Sequence, residues 1–427
     1  MALALQLALD FTDMHRALGV AREAAKHCDW LEIGTPLLKA EGLDSVRRLH
    51  EAFPGHKIVC DTKTMDAGRI EMECAAKAGA TFATVLGVAS DATVRECIEA
   101  GRNYGIGVIV DLVGVTDPVA RAREVAEWGA AVVSVHCPID QQMEGKDPFD
   151  TLRAVASVVD IDVAVAGGLN SETASRAVAS GATVVVVGGA ITKAEDAGAA
   201  AAQIRRVMDT GVAEATELFK RGGAGDVRQL LALPSVPNIS DAHHHMPVLA
   251  GLHQINPGVK MVGRAFTVRT YPGDWAKPVE AIDKAEEGDV IVIDAGGVPP
   301  ALWGELATHS AVQRKLAGVV IHGAIRDTPE IRRLGFAAYA THITARAGEP
   351  KGFGEMGVPI EISGITIETG DWIVGDDDGV IAIPHARAVE IANRAMDRLE
   401  MENRVRKEIE SGSTLAQVVD LYKWEKK

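Results

Sequence analysis

Cysteine is scarce in this chain, and its pattern excludes two classes of protein. Among 427 residues there are five cysteines, Cys28, Cys60, Cys74, Cys97 and Cys137, and none follows residue 137. The number is odd and no CxxC occurs, so neither a disulfide framework nor a zinc knuckle is expected, and a reducing cytoplasm fits. Positive charge is also short. Lys and Arg number 44 against 59 Asp and Glu, a net charge of −15. Such a surface repels a phosphate backbone, which disfavours nucleic acid as a partner. No apolar run reaches the length of a membrane span. The opening MALALQLALDF is apolar but short, lacks a basic segment and runs into Asp10, so it reads as a first strand and not as a signal peptide. Aromatics are only 4% of the chain, whereas glycine reaches 43 residues. Ala and Val dominate the apolar set. Small branched side chains with many glycines suit parallel strands buried on both faces.

What is present is a repeat. Eight short runs rich in Val, Ile, Leu and Ala stand at 5–10, 30–34, 57–61, 82–87, 106–111, 131–136, 162–168 and 183–189. Helical patterns such as MHRALGVAREAAKHC separate them. Eight successive strand–helix units predict an α/β fold, a closed (β/α)8 barrel over residues 1–209. A doubly wound open sheet is the alternative, but the first turn, LDFTDMHR, lacks the glycine fingerprint such sheets place there. Residues 210–233 read as a helix, a glycine break and a second helix, a linker. From Pro234 the rhythm changes. Strands are expected at 263–270, 289–295, 318–322, 360–367 and 379–383, and helices at 301–316 and 386–410. This predicts a mixed α/β domain over 234–427, with the charge-alternating tail 395–410 as a solvated helix face.

Barrel enzymes work where strands end. The strand ends here carry Asp10, Glu32, Asp61, Asp111 and His136. One such carboxylate is commonly a helix cap; the set is hard to explain that way. Asp61-Thr-Lys63-Thr-Met-Asp66 follows the third strand. Alternation puts Asp61 and Lys63 on one side, with Asp66 a turn further on, so that an ammonium set between acids can face a developing oxyanion. A local ion pair at a helix start is the plainer alternative. The last two strands end in glycine pairs, Gly167-Gly168 and Gly188-Gly189, placed to open helices and to receive a phosphate on bare N–H groups. Two tight turns would also use glycine. Glu32 and Asp61 are hard oxygen ligands suited to Mg2+ (or Mn2+), which keeps water and substrate oxygens in its shell. His136 can carry a proton near neutral pH.

LALDF, LEIGTPLL, DTKTMDAG, the sixth-strand His136 and VGGAIT, in this order, resemble 3-hexulose-6-phosphate synthase, of the orotidine-monophosphate-decarboxylase-like barrels. The resemblance covers residues 1–209. It implies a metal-dependent, reversible aldol reaction of formaldehyde with D-ribulose 5-phosphate, the lyase of the ribulose monophosphate pathway. It also implies Glu32 and Asp61 as metal ligands and Asp10, Lys63 and Asp66 as the polar cluster. His136 becomes the acid/base, the glycine pairs the phosphate turns, and the barrel a homodimer in which Asp66 reaches the neighbouring site. The alternative is 3-keto-L-gulonate 6-phosphate decarboxylase, which is expected to carry an Arg shortly after the histidine. This sequence reads His136-Cys-Pro-Ile-Asp140-Gln-Gln, and the synthase is favoured.

In the second half, a strand ending Asp294-Ala-Gly296-Gly297 leads to Trp303-Gly304-Glu305-Leu306, and another ends in His322-Gly323-Ala-Ile-Arg326-Asp327. Arg offers a fork for a carboxylate, and Asp a hard cation ligand. Asp376-Asp377-Asp378 reads as a hydrated turn without calcium-loop spacing. His243-His244-His245 reads as an exposed helix start, since adjacent positions on a helix diverge. SDA at 240–242, GRAFTV, the GG–WGE loop, GAIRD and GDWIVGDDDGVIAIP resemble the ribonuclease-activity regulator A family, which includes the class II 4-hydroxy-4-methyl-2-oxoglutarate aldolases. That resemblance implies a trimeric ββα-type swivelling domain. In it Asp327 anchors a metal, Arg326 stabilises an oxoacid enolate, and Trp303, Gly304, Glu305 and Leu306 form a carboxylate loop. Glu305 stands where Asp is usual, and His322 where Asp is expected. A non-catalytic regulatory or assembly module is the alternative. Dimeric barrels joined to trimeric second domains would build a larger particle.

Overall fold

The computed structural model describes residues 3–216, 220–419 and 421. Eight parallel strands close on themselves: β1 (Ala4–Leu9), β2 (Trp30–Ile33), β3 (Lys57–Thr64), β4 (Phe82–Leu86), β5 (Gly107–Asp111), β6 (Val132–His136), β7 (Asp162–Ala166) and β8 (Val184–Val187). The closing pair sets Leu7 of β1 against Val187 of β8, while on its other side Leu7 meets Leu31 of β2.

The alternation of the strands explains both the core and the site. One set of side chains points out to the helices, where Leu5, Leu7, Leu9, Leu31, Ile33 and Val185 join the large apolar cluster. The other set fills the barrel, and its lower layer is Ala4, Trp30, Val59, Ile109, Val132, Ala164 and Val184, with Phe82 packed against it. Trp30 stacks on Phe82 at 4.5 Å. Two residues further along each strand the same inward face carries Gln6, Glu32, Asp61, Thr84, Asp111 and Ser134, all buried. Period-two geometry therefore stacks a polar layer directly on an apolar plug. Ordinary caps come from other residues. Asp13, Ser90, Asp117 and Asp196 begin helices by accepting backbone N–H groups.

By contact the chain divides into two units, Met1–Arg221 with Glu400–Lys427, and Gly222–Leu399. The second unit is a mixed sheet. Its strands are β9 (His253–Gln254), β10 (Met261–Arg269), β11 (Val290–Asp294), β12 (Ala301–Trp303), β13 (Gly318–Ile325), β14 (Ala338–Ile343) and β15 (Glu355–Met356). A small hairpin follows, β16 (Ile360–Ile362) and β17 (Ile365–Ile367), and then β18 (Trp372–Asp376) and β19 (Gly379–Ile383). The order is β19-β18-β10-β11-β13-β14-β9, with β10, β11, β13 and β14 parallel and the flanking strands antiparallel. Val290, Val292, Val320 and Tyr339 are among those that fill one face; Ile291, Ile293, Ile321 and Trp303 are among those on the other.

Several expectations are corrected. The run 360–367 is not one strand: Ser363 and Gly364 both take positive φ, 56° and 77°, and fold it into a hairpin. Helix is absent from 211–216, and the linker's described helix is Val227–Ala232. Ala301–Trp303 pairs with β13 as a strand, so the helix expected from 301 begins at Glu305. A helix ends, and does not start, at the histidine triplet: it spans Val236–Ala242, and His244 and His245 adopt left-handed backbone. The tail is not simply a solvated face. In the helix Ala388–Glu410, Ala395, Met396, Glu400 and Arg404 are buried, because the last two find ion-pair partners inside the first unit.

Candidate active site

At the top of the barrel, Asp61 is the hub. Its Oδ1 accepts from Thr84 Oγ1 at 2.8 Å. Its Oδ2 accepts from Thr35 Oγ1 at 2.6 Å and Lys63 Nζ at 2.7 Å. Lys63 reaches this position because β3 is irregular: its pairing with β4 shifts between Cys60 and Thr64, and Lys63 has φ 45°. Thr84 Oγ1 accepts the Lys63 backbone N–H at 2.8 Å and holds that kink. The same ammonium lies 3.5 Å from Asp111 Oδ2, which also takes the His136 Nδ1 contact at 3.1 Å. Asp111 Oδ1 accepts from Val113 N at 2.9 Å. Thus Asp61, Lys63, Asp111 and His136 form one chain of charge-assisted bonds. Glu32 lies beside it, fixed by Gln6 Nε2 at 2.6 Å.

Asp66 does not join this cluster. It is exposed, and its Oδ1 accepts the Ala67 N–H at 2.7 Å, the start of the next turn. The turn after the strand's end at Thr64 carries it out to solvent and not back over Lys63. The two glycine pairs also differ. Gly167 and Gly168 have φ of 110° and 70°, but the next helix begins only at Ala174, after an Asn170 turn; this pair does not open a helix. A Cβ on Gly167 would lie 2.4 Å from the Cys137 carbonyl, so the loops after β6 and β7 need glycine to meet. Gly188-Gly189 does open a short helix, Gly189–Thr192. A Cβ on Gly188 would stand 3.5 Å from Asp10 Oδ2, and one on Gly189 would stand 3.7 Å from the Lys193 side chain. Asp10, Lys193 and this turn therefore adjoin.

Charge is unevenly compensated here. Burial, then Asp61, raises the Asp10 carboxyl above its ordinary value. Burial, then Asp61 and Asp10, holds the Glu32 carboxyl well above its own. Burial opposes the Lys63 ammonium, but Asp61 and then Asp111 outweigh it and raise its pKa. Burial likewise opposes the Asp111 anion, yet the His136 bond and charge, then Lys63, hold it low. Gln6 Oε1, beside Glu32, is buried without a partner. The raised Glu32 carboxyl, the neighbouring Asp61 and the orphaned Gln6 acceptor make a donor set of hard oxygens that a divalent cation fits. Among the described residues no three His, Cys, Asp or Glu converge into a protein-only cage, and an ion that keeps its waters needs none.

In the second unit, Asp327 has φ 57° and takes the Glu305 N–H at 3.2 Å and Arg326 Nε at 3.4 Å. Arg326 N donates to the Trp303 carbonyl at 3.0 Å, and a Cβ on Gly304 would lie 2.5 Å from Asp327 Oδ2. Trp303, Gly304, Glu305, Arg326 and Asp327 are therefore assembled, with Trp303 in the core and Leu306 exposed. His322 Nδ1 lies 2.9 Å from Asp294 Oδ1, behind Gly297.

Comparison with known proteins agrees with this division. Residues 4–204 match the family Orotidine 5'-phosphate decarboxylase / HUMPS, and residues 236–382 match Aldolase/RraA. A 3-hexulose-6-phosphate synthase of Methylomonas aminofaciens is 44% identical over 200 residues, 47% of this chain and 96% of that protein. The chain belongs to the Orotidine 5'-phosphate decarboxylase / HUMPS family. A solved 3-hexulose-6-phosphate synthase from Salmonella typhimurium is 36% identical, covering 49% of this chain and 100% of that one, with TM-score 0.48. A solved 3-keto-L-gulonate-6-phosphate decarboxylase from Vibrio cholerae is 28% identical, covering 50% and 100%, with TM-score 0.46.

The HUMPS barrel of this chain is that of an enzyme, a lyase, and it is fused to an Aldolase/RraA-like domain. Among the described residues no helix is long and apolar enough to cross a membrane. Five side chains of the site had no assigned role in the sequence: Gln6, Thr35, Thr84, Asp111 and Lys193. Asp111 was visible as a strand-end acid. Gln6 and Thr84 could have been found by counting two residues on from the apolar plug.

Proposed function

We propose that the barrel is a 3-hexulose-6-phosphate synthase, joining formaldehyde to D-ribulose 5-phosphate in a reversible aldol reaction. The observation that carries this reading is the Lys63 ammonium held between Asp61 and Asp111 beside buried Glu32, with Asp10 close by. The sugar phosphate would seat its phosphate at Gly188-Gly189 and Lys193, with Gly167-Gly168 as the second turn, which brings its ketone end toward Asp10 and Lys63. Removal of a proton from the hydroxymethyl carbon beside the ketone leaves an enediolate, whose carbon then bonds to formaldehyde; the new alkoxide takes up a proton. Lys63 stabilises negative charge on oxygen, and its two acids keep it protonated. His136, with Nδ1 on Asp111, presents Nε2 to move the proton. Glu32 and Asp61 would hold Mg2+ (or Mn2+). Bound there, the ion supplies Lewis-acid stabilisation of oxyanion charge.

The test is formaldehyde consumption by the purified chain with ribulose 5-phosphate, with and without EDTA. Turnover that EDTA abolishes and Lys63→Ala lowers by roughly 100- to 1000-fold is expected; near-normal turnover in Lys63→Ala sinks the site.

For the second unit we propose metal-dependent oxoacid lyase chemistry in place of a purely regulatory or assembly role. The assembled Arg326, Asp327 and Glu305 N–H favour it. Arg326 would bind an oxoacid and stabilise its enolate, and Asp327 would hold the ion, often through water. Oxaloacetate decarboxylation by the full chain, lost in Arg326→Ala, is expected; no turnover in the native chain favours the regulatory module. Dimeric barrels, with Asp66 reaching the neighbour's site, and trimeric second units belong to the same reading, which a monomer in light scattering removes.

A further inference from the structure

Buried charge recurs in the first unit, away from the catalytic cluster. Arg404, near the end of the helix Ala388–Glu410, is 7% exposed. Its guanidinium is almost fully used. Nη2 and Nη1 donate to the two Glu23 carboxylate oxygens at 2.9 and 3.1 Å. Nε donates to Glu408 Oε1 at 3.0 Å, and Nη1 also reaches the Ala194 carbonyl at 3.2 Å. Glu408 is shared with Arg16, at 2.9 Å. Glu23 Oε2 in turn accepts the Ala197 N–H at 3.3 Å, at the start of the helix Ala197–Thr210.

Ala194 and Ala197 bracket the segment that leaves the Gly188–Lys193 turn. Arg404 holds one end directly and the other through Glu23. The turn itself is short, four helical residues with Ile191 seated in the apolar core, and Arg404 and Glu23 hold the backbone that leaves it, at Ala194 and Ala197. A buried guanidinium forked onto a carboxylate and a carbonyl is a rigid support, because losing those partners leaves its own charge buried and unsatisfied, even though Glu23 itself reaches solvent. The support comes from outside the barrel sequence. The Methylomonas synthase is matched over 96% of its own length by 200 residues, whereas Arg404 lies some two hundred positions beyond the barrel's last strand.

We propose that Arg404 is a positioning residue for the phosphate end of the substrate: the C-terminal helix braces the turn after β8, and with it the affinity for sugar phosphates. This rests on the reading of that turn as the phosphate site. It would make the appended C-terminal segment part of the barrel's binding apparatus.

The test uses the full chain and its Arg404→Ala and Arg404→Lys variants. Calorimetric titration with inorganic phosphate and with ribose 5-phosphate gives affinity, hydrogen exchange gives the protection of residues 188–197, and steady-state rates give KM for each substrate. Arg404→Ala is expected to bind both phosphates about tenfold more weakly and to lose protection in 188–197 alone. KM should rise for ribulose 5-phosphate and not for formaldehyde. Arg404→Lys, which keeps the charge but not the fork, should fall between, and it carries the test if Arg404→Ala does not fold. Glu23→Ala combined with Arg404→Ala should be no worse than the worse single variant. Wild-type phosphate affinity and protection in folded variants overturn the brace, as does a native chain that binds neither phosphate. A native chain that binds phosphate and shows the exchange effect, yet consumes no formaldehyde, sinks the synthase reading and leaves the brace standing.

Discussion

The site residues are held against their own electrostatic preference. Burial and neighbouring acids raise the Glu32 and Asp10 carboxyls, whereas the unfolded chain titrates them at about 4. Above that value the folded state binds more protons than the unfolded one, so stability falls as pH rises through the window up to the raised values. Asp111 runs the other way. Its lowered pKa contributes stability above about 4 that is lost as pH falls. Glu32→Gln should therefore stabilise the metal-free barrel at pH 8 by about 1 kcal/mol, as relief of a functional strain does, and the gain should shrink toward pH 4. Thermal melts of the two proteins in EDTA at both pH values check this, with turnover expected to be lost at either. Equal melting of both proteins at pH 8 would show that Glu32 carries no such cost.

At the scale of elements, the sequence made the barrel legible and left its kinks obscure. The eight strands were readable because each is a short apolar run ending in a polar or glycine residue, most of them rich in β-branched side chains, and inward positions follow from period two. That logic located Glu32, Asp61, Asp111 and His136. It did not locate Asp66. Asp61 and Lys63 were expected on one side of an extended segment with Asp66 a turn further on, but the register shift before Thr64 and the left-handed Lys63 bend the backbone first and leave Asp66 exposed. Lys63 still meets Asp61, by a kink and not by alternation. In the second unit β14 and β18 were not expected as separate strands, since AYATHI and WIVGD carry no clean alternation: the first three residues of β14 and the first four of β18 are buried in a row. The Ser363-Gly364 turn did have a signal, a two-residue serine–glycine step inside an alternating run, and the composition of the flanking isoleucines masked it. The acid-rich tail misled for a similar reason: its charges alternate like a solvated surface, and only tertiary partners make Glu400 and Arg404 interior residues.

At the scale of the molecule, each unit has its own core, so unfolding should proceed in separable transitions. The helix Ala388–Glu410 contributes residues to both units, which makes the end of the chain a stabilising element of its beginning. Glu400 is fully buried, and Arg221 forks onto it with both contacts at 3.0 Å. Removing one partner of such a pair leaves a buried charge uncompensated, which costs on the order of 3 kcal/mol or more. Glu400→Ala should accordingly lower the barrel's transition by several degrees while the transition of the second unit stays in place; Glu400→Gln, which keeps the shape and one acceptor, should recover part of the loss. Calorimetry separates the two transitions, and ribulose 5-phosphate, which would bind only the native barrel, identifies the barrel's by raising it. If Glu400→Ala instead lowered both transitions together, the buried pair would be stabilising the chain as one cooperative body.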